Sequence, residues 1–201
     1  MLTCFLTGGI ATGKSLAGRH FREGRDDVAF FDCDACVHDL LADREMARRV
    51  AWEFGDQVLA GDGKVDRPAL REAVFGNDEA RRRLEGLLHP EVRRECLAAK
   101  AAAAQNPAIR VFLAEVPVLY ESGFDVERDC EIVVAVSPEV QRQRMIERRG
   151  LAPEMVERIL TAQWPILEKV RRAHIVIWNG GSLECLKRQA HCLRRRLKMP
   201  L

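Results

Sequence analysis

Gly8, Gly13, Lys14 and Ser15 stand in the order Gly-x-x-x-x-Gly-Lys-Ser inside the stretch LTGGIATGKS. That spacing matches a phosphate-binding loop. Glycines reach backbone angles closed to other residues, so successive N–H groups can converge on an anion. The candidate nucleotide-binding residues are therefore Gly8, Gly9, Ile10, Ala11, Thr12, Gly13, Lys14, Ser15 and Leu16. In such a loop the lysine reaches the β- and γ-phosphates of a nucleoside triphosphate and the serine hydroxyl ligates Mg²⁺. The plainer alternative is a glycine-rich turn that binds nothing, and the flanks argue against it. Leu2 to Thr7 is a short apolar run suited to a buried parallel strand. Leu16, Arg19, His20 and Phe21 follow at helical spacing, with Gly24 as a stop.

Phosphoryl transfer needs Mg²⁺ beside the phosphates, positive charge on the transferring group and a base for the acceptor hydroxyl. Polar residues at the ends of apolar runs are placed to supply them, because ligands of parallel sheets bind outside the carboxyl ends of the strands. VAFFD (28–32) ends in Asp32 and leads to Asp34; RVFLAEVP (110–117) carries Glu115 and leads to Glu121; HIVIWN (174–179) ends at Asn179 and leads to Gly180. Asp34 is the candidate base, and Asp32 or Glu115 the candidate Mg²⁺ holder beside Ser15. A single acidic residue at a strand end is more often a cap or turn former. Arg144 and Arg148, four apart on one helix face, can clamp a triphosphate, although a solvated basic face has the same spacing.

The elements that position these residues alternate between strand and helix signals. Strand patterns lie at 2–7, 28–32, 110–117, 130–136 and 174–179. Helical patterns follow Ser15 and cover about 35–54, 67–75, 78–88, 91–105 and the segment opened by Ser137-Pro138-Glu139. Pro153 opens a further helix that Pro165 should kink or break, and a last helix follows Gly180-Gly181. GDGK (61–64) reads as a turn and Asn77 as a helix cap. Residues 56–107 hold no strand signal and read as a helical insertion. The fold class expected is α/β, a mainly parallel sheet with helices on both faces.

The chain has 201 residues, 47% hydrophobic and 31% charged, with a net charge of +2. That is ordinary globular composition, with no overall attraction to nucleic acid or membrane. The RRRLK run (194–198) reads as a solvated helix end. No stretch approaches the length of a membrane span, and the N-terminus lacks the charged and apolar regions of a signal peptide. Seven cysteines at scattered spacing fit reduced thiols in the cytoplasm. Cys33 and Cys36 form one C-x-x-C pair, but no second clean pair completes a zinc set.

Taken together, LTGGIATGKS, FDCDACVH, RPALREAVF, LLHPEV, VPVLYE, the Gln141/Arg144/Arg148 series, Gln163, Lys169 and AHIVIWNGG make a chain that resembles the dephospho-CoA kinase family. The resemblance implies a P-loop core over 1–55 and 108–201, a lid within about 141–169, and an acceptor-binding insertion over 56–107. It implies transfer of the γ-phosphoryl of ATP, with Mg²⁺, to the ribose 3′-hydroxyl of dephospho-CoA. Asp34, Lys14 and Arg144 are then catalytic, Arg144, Arg148, Asn179 and Gly180 lie toward ATP, and Asp34, His38, His89, Arg93, Leu119 and Glu121 toward the acceptor. The partners expected are the two substrates alone, with the chain cytoplasmic and a monomer or small homo-oligomer. Leu16, Pro165 and His174 depart from the family pattern. The rivals are a kinase for another small alcohol or nucleoside, and a non-catalytic nucleotide switch.

Overall fold

Apolar runs flanked by polar turns fold as strands wherever both of their faces can be covered. In the computed structural model, which describes residues 1–197, five such runs form one sheet: β1 (Leu2–Gly8), β2 (Val28–Asp32), β3 (Val111–Glu115), β4 (Cys130–Ala135) and β5 (Ile175–Trp178). Their order is β2-β3-β1-β4-β5. β1 pairs in parallel with β3 and β4, and β4 with β5, in registers that set Leu6 beside Glu115 and Gly8 beside Val134. The helices are α1 (Lys14–Arg22), α2 (Cys33–Ala42), α3 (Arg44–Phe54), α4 (Arg67–Val74), α5 (Asp78–Ala104), α6 (Pro138–Arg149), α7 (Pro153–Thr161), α8 (Ile166–Arg172) and α9 (Leu183–Arg196). Lys198, the end of the RRRLK run, lies outside the described residues.

The chain divides into two compact units, Met1–Phe31 with Lys100–Leu201, and Asp32–Ala99. In the first, alternate strand residues serve opposite faces, as the pleat requires. Cys4, Leu6, Val111, Leu113, Ile132 and Val134 pack with Ala17 and Phe21 of α1 and with Leu186 and Leu193 of α9. Val133 and Ala135 turn to the other face, against Ile166 and Val170 of α8. Helices thus cover both faces of the parallel sheet, as expected.

The second unit is helical around a core of its own. Leu41, Met46, Ala47 and Val50 of α2 and α3 bury with Leu70 of α4 and Leu88 of α5. It begins at Asp32 rather than at residue 56 because the apolar faces of α2 and α3 are needed to close this core. Two further details differ from expectation. The helix foreseen over 35–54 is interrupted at Asp43, whose Oδ1 accepts the N–H groups of Glu45 and Met46 and starts α3 anew. The two helices foreseen at 78–88 and 91–105 are one, with Pro90 inside it. Leu88, Val92 and Cys96 all bury on that helix, and their apolar stripe outweighs the roughly 3 kcal/mol an interior proline costs. Asn77 and Ser137 start α5 and α6 as expected; the helix opened by Pro153 ends at Thr161, ahead of Pro165, which opens α8.

Candidate active site

The loop between β1 and α1 is shaped by close approaches at its glycines. Gly13 has φ of 90°, and a Cβ there would meet Asn179 Nδ2 at 2.3 Å. A Cβ on Gly9 would meet Gln141 Nε2 at 2.4 Å. Ala11 is the only non-glycine residue at positive φ among the described residues, at 60°, a left-handed conformation that marks a constrained functional turn. Gly13 caps α1 without a side-chain hydrogen bond, and no acidic residue lies in the first turn. The amides of that turn are thereby left for an anion, which the helix dipole also favours.

One carboxylate organises the reactive side chains. Glu115, at the end of β3 and 3% exposed, accepts at Oε1 from Lys14 Nζ at 3.0 Å and from Ser15 Oγ at 2.6 Å. Lys14 and Ser15 are consecutive at the start of α1, and β1 sets both beside neighbouring β3. An ion pair this buried adds little net stability, since desolvation offsets the attraction. Its effect is to hold the lysine at the mouth of the loop, where an incoming phosphate would compete for it. Ser15 Oγ with Glu115 Oε1 also forms a pair of hard oxygen donors, the kind Mg²⁺ takes when phosphates and water complete its shell. No group of three or more His, Cys, Asp or Glu among the described residues could hold a metal, and a phosphate-bound Mg²⁺ needs none. Leu16 packs its side chain against the sheet core, so only its backbone serves the loop.

Asn179, at the end of β5, donates from Nδ2 to Thr12 O at 2.8 Å, and its own carbonyl accepts from Arg144 Nη2 at 2.8 Å. Arg144 of α6 is therefore joined to the loop through Asn179. Partial burial, then the neighbouring Arg148, lower its guanidinium below the ordinary value, a cost any bound polyanion would relieve. Arg148 is exposed and Gly180 follows Asn179 at the surface. Gln141 and Gln163 reach the loop as well: Gln141 Nε2 donates to Ile10 O at 2.8 Å, and Gln163 Oε1 accepts from Ile10 N at 3.2 Å. The residue types of these two glutamines carried no assignable role in the sequence. What could have flagged Gln141 is its place on a helix one turn before buried Met145.

Leu119 is buried in the same unit. Glu121 Oε1 accepts from Trp164 N at 2.9 Å and lies 2.5 Å from Nζ of the fully buried Lys169. This ties the VPVLYE segment to the base of α8. His174, a departure from the family pattern, accepts at Nδ1 from the N–H of Glu131, a bond an aspartate carboxylate would also accept. In the helical unit, Asp32 caps α2, accepting from Asp34 N at 2.9 Å and Ala35 N at 3.2 Å. The cap of α2 is thus Asp32, and the carboxylate hydrogen-bonded to Ser15 is Glu115. Asp34 sits exposed in the first turn of α2; His38 is exposed one turn further on, and His89 and Arg93 of α5 are partly buried. Cys33 and Cys36 are thiols outside any disulfide, pushed up by burial, Cys36 to about 11, which disfavours the thiolate form.

A glycine loop between the central strand and a helix of a parallel β2-β3-β1-β4-β5 sheet, with a carboxylate on the adjacent strand end, defines a P-loop nucleotide-binding protein. The family model for dephospho-CoA kinase matches residues 2–184. The chain belongs to the dephospho-CoA kinase family and is a kinase. A dephospho-CoA kinase of Geobacillus kaustophilus is 38% identical over 189 residues, covering 94% of this chain and 92% of the relative. The crystal structure of a Thermus thermophilus protein superposes with a TM-score of 0.77 at 32% identity, covering 98% of this chain and 97% of that one. A dephospho-CoA kinase of Campylobacter jejuni shares the fold, with a TM-score of 0.65 at 24% identity over 97% of this chain and 96% of its own. Family membership excludes the non-catalytic switch.

Proposed function

We propose that this kinase transfers the γ-phosphoryl group of ATP to the ribose 3′-hydroxyl of dephospho-CoA, giving CoA and ADP, with Asp34 taking the hydroxyl proton. A bond forms between the ribose oxygen and the γ-phosphorus as the bond from that phosphorus to the β–γ bridging oxygen breaks, and ADP leaves with the electron pair. The observation that carries the reading is the convergence of Lys14 Nζ and Ser15 Oγ on Glu115 Oε1. The arriving triphosphate displaces Glu115 as the partner of Lys14, which then spreads its charge over the β- and γ-oxygens. Mg²⁺, held by Ser15 with Glu115 as its acidic neighbour, would neutralise charge on those same oxygens. Arg144 and Arg148 of the lid supply further positive charge, and Asn179 keeps the loop in shape from below.

Asp34 takes the base role because Asp32 is committed to capping, while the carboxylate of Asp34 is not the cap acceptor. His38, His89 and Arg93 of the helical unit, together with Leu119, are assigned to the acceptor. Glu121 serves that side by holding its loop through Lys169. The reaction is assigned to the cytoplasm, in keeping with seven cysteines that form no disulfide among the described residues. A coupled ADP-release assay with dephospho-CoA, adenosine and shikimate as acceptors tests the reading. Release that is stoichiometric with 3′-phosphorylated product from dephospho-CoA, and at least a hundredfold slower with the others, is the expected outcome; preference for either alternative acceptor overturns it.

A further inference from the structure

Ile10, the third residue of the phosphate loop, has both of its backbone polar groups taken by side chains from the lid segment. Its carbonyl accepts from Gln141 in the first turns of α6, and its N–H donates to Gln163 in the turn between α7 and α8. The two carboxamides need opposite ends, a nitrogen for the carbonyl and an oxygen for the N–H, so neither can be flipped without losing its bond. Gln141 is 4% exposed, and the space it occupies exists because residue 9 is glycine. Directly after the clamped residue comes Ala11 at φ of 60°. With the Ile10 N–H turned to Gln163, the amides able to meet phosphate begin at Ala11.

We propose that Gln141 and Gln163 are positioning residues for phosphoryl transfer: by gripping Ile10 from both sides they fix where the amide cradle begins and couple the lid segment to the phosphates. This rests on the reading that Gly8–Ser15 binds the triphosphate. Neither glutamine touches the reacting atoms, so the effect belongs to ATP and not to the acceptor. Because both act through one residue, losing either frees the loop, and losing the second adds little. Coupled sites behave in this non-additive way, whereas independent ones add.

The test uses the full chain with Gln141→Met, Gln163→Met and the double variant, since methionine keeps the length and volume and removes only the polar ends. Each single variant should raise KM for ATP by about three- to tenfold, the range of one lost hydrogen bond. KM for dephospho-CoA should stay within about twofold, and the double variant should fall near the worse single one. Unfolding midpoints of all three check that the chain folds; if Gln141→Met does not, Gln163→Met, in a less buried turn, carries the test alone. Equal effects on both substrates, multiplicative effects in the double variant, or an unchanged KM for ATP would overturn the proposal. Calorimetric binding of ADP to Lys14→Ala separates the two levels. Binding retained there removes the phosphate-loop reading itself, and binding lost there with unaffected glutamine variants removes the clamp alone.

Discussion

Glu115 Oε1 receives a lysine and a serine at once, and that sharing defines what each side chain can be asked to do. Among the described residues Lys14 is the cation paired with Glu115, so on the proposed reading Lys14→Ala removes the point charge beside the transferring phosphoryl. Activity should fall by about two orders of magnitude or more, by analogy with removal of one preorganised donor, with a near-normal circular dichroism spectrum. An active Lys14→Ala enzyme would remove the assignment. Asp34 presents a different question, because the first turn of α2 already has its cap in Asp32. Asp34→Asn keeps shape and removes only charge. Its kcat should fall by about 10²–10⁴, the usual share of general base catalysis, while ATP affinity changes by no more than a few-fold. If Asp34 instead governs Mg²⁺, the variant's Mg²⁺ requirement rises steeply, so one titration of Mg²⁺ against rate tells the two apart.

At the scale of elements, α6 and the α7–α8 turn hold the loop through Gln141, Gln163 and the Arg144–Asn179 relay. If a triphosphate pairs with Arg144 and Arg148 as proposed, residues 141–169 should exchange their amide hydrogens more slowly with an ATP analogue bound. Mass-spectrometric exchange that is identical with and without the analogue would return these arginines to plain surface. Most of these elements could be read in advance, and the reasons are local. Continuous apolar runs named β1, β3 and β4; Ser137-Pro138 and Pro153 named two helix starts; the glycine spacing named the loop. What escaped reading was decided by distant partners. Pro90 stays helical because its neighbours bury, Asp43 divides a helix by capping, and α2 and α3 join the helical unit because its core needs them. The same holds in the site: Lys14, Ser15 and Glu115 were legible from type and spacing, but the glutamine grip on Ile10 joins residues more than a hundred positions apart, a pairing that local spacing does not encode.

For the whole molecule, the charged surface and the buried thiols together set a pH window of stability. Hydrogen bonds from His20, from the backbone N–H of Met46, and from Arg49 and Arg142 hold Glu23, Asp43, Glu91 and Glu157 below their ordinary values. Carboxylates depressed in the folded state stabilise it above the ordinary value of 4.5 (3.8 for Asp43), and that contribution is lost as pH falls through the folded values. Glu23, Asp43 and Glu157 are exposed and Glu91 only partly buried, so this acid limb should be shallow and weakened further by salt. The alkaline limb has a different origin. Burial raises Cys33 above its ordinary 9.0, with Cys96 adding to it, and burial raises Cys36 to about 11. Above pH 9 an unfolded chain loses these protons while the folded chain keeps them, so the folded state loses stability as pH rises. For Cys33, 6% exposed, the loss at pH 10 is about 1.4 kcal/mol, one decade of proton linkage. In a chain of this size that corresponds to roughly 3–6 °C in the unfolding midpoint. Cys33→Ala should therefore narrow the difference in midpoint between pH 7.5 and pH 10 by about that amount, whatever it costs at neutral pH, because the comparison is made within each protein. Calorimetric scans of both proteins at the two pH values decide it. An equal drop in the wild type and the variant would mean that Cys33 does not stay protonated in the folded chain, and the alkaline limb would have to come from other groups.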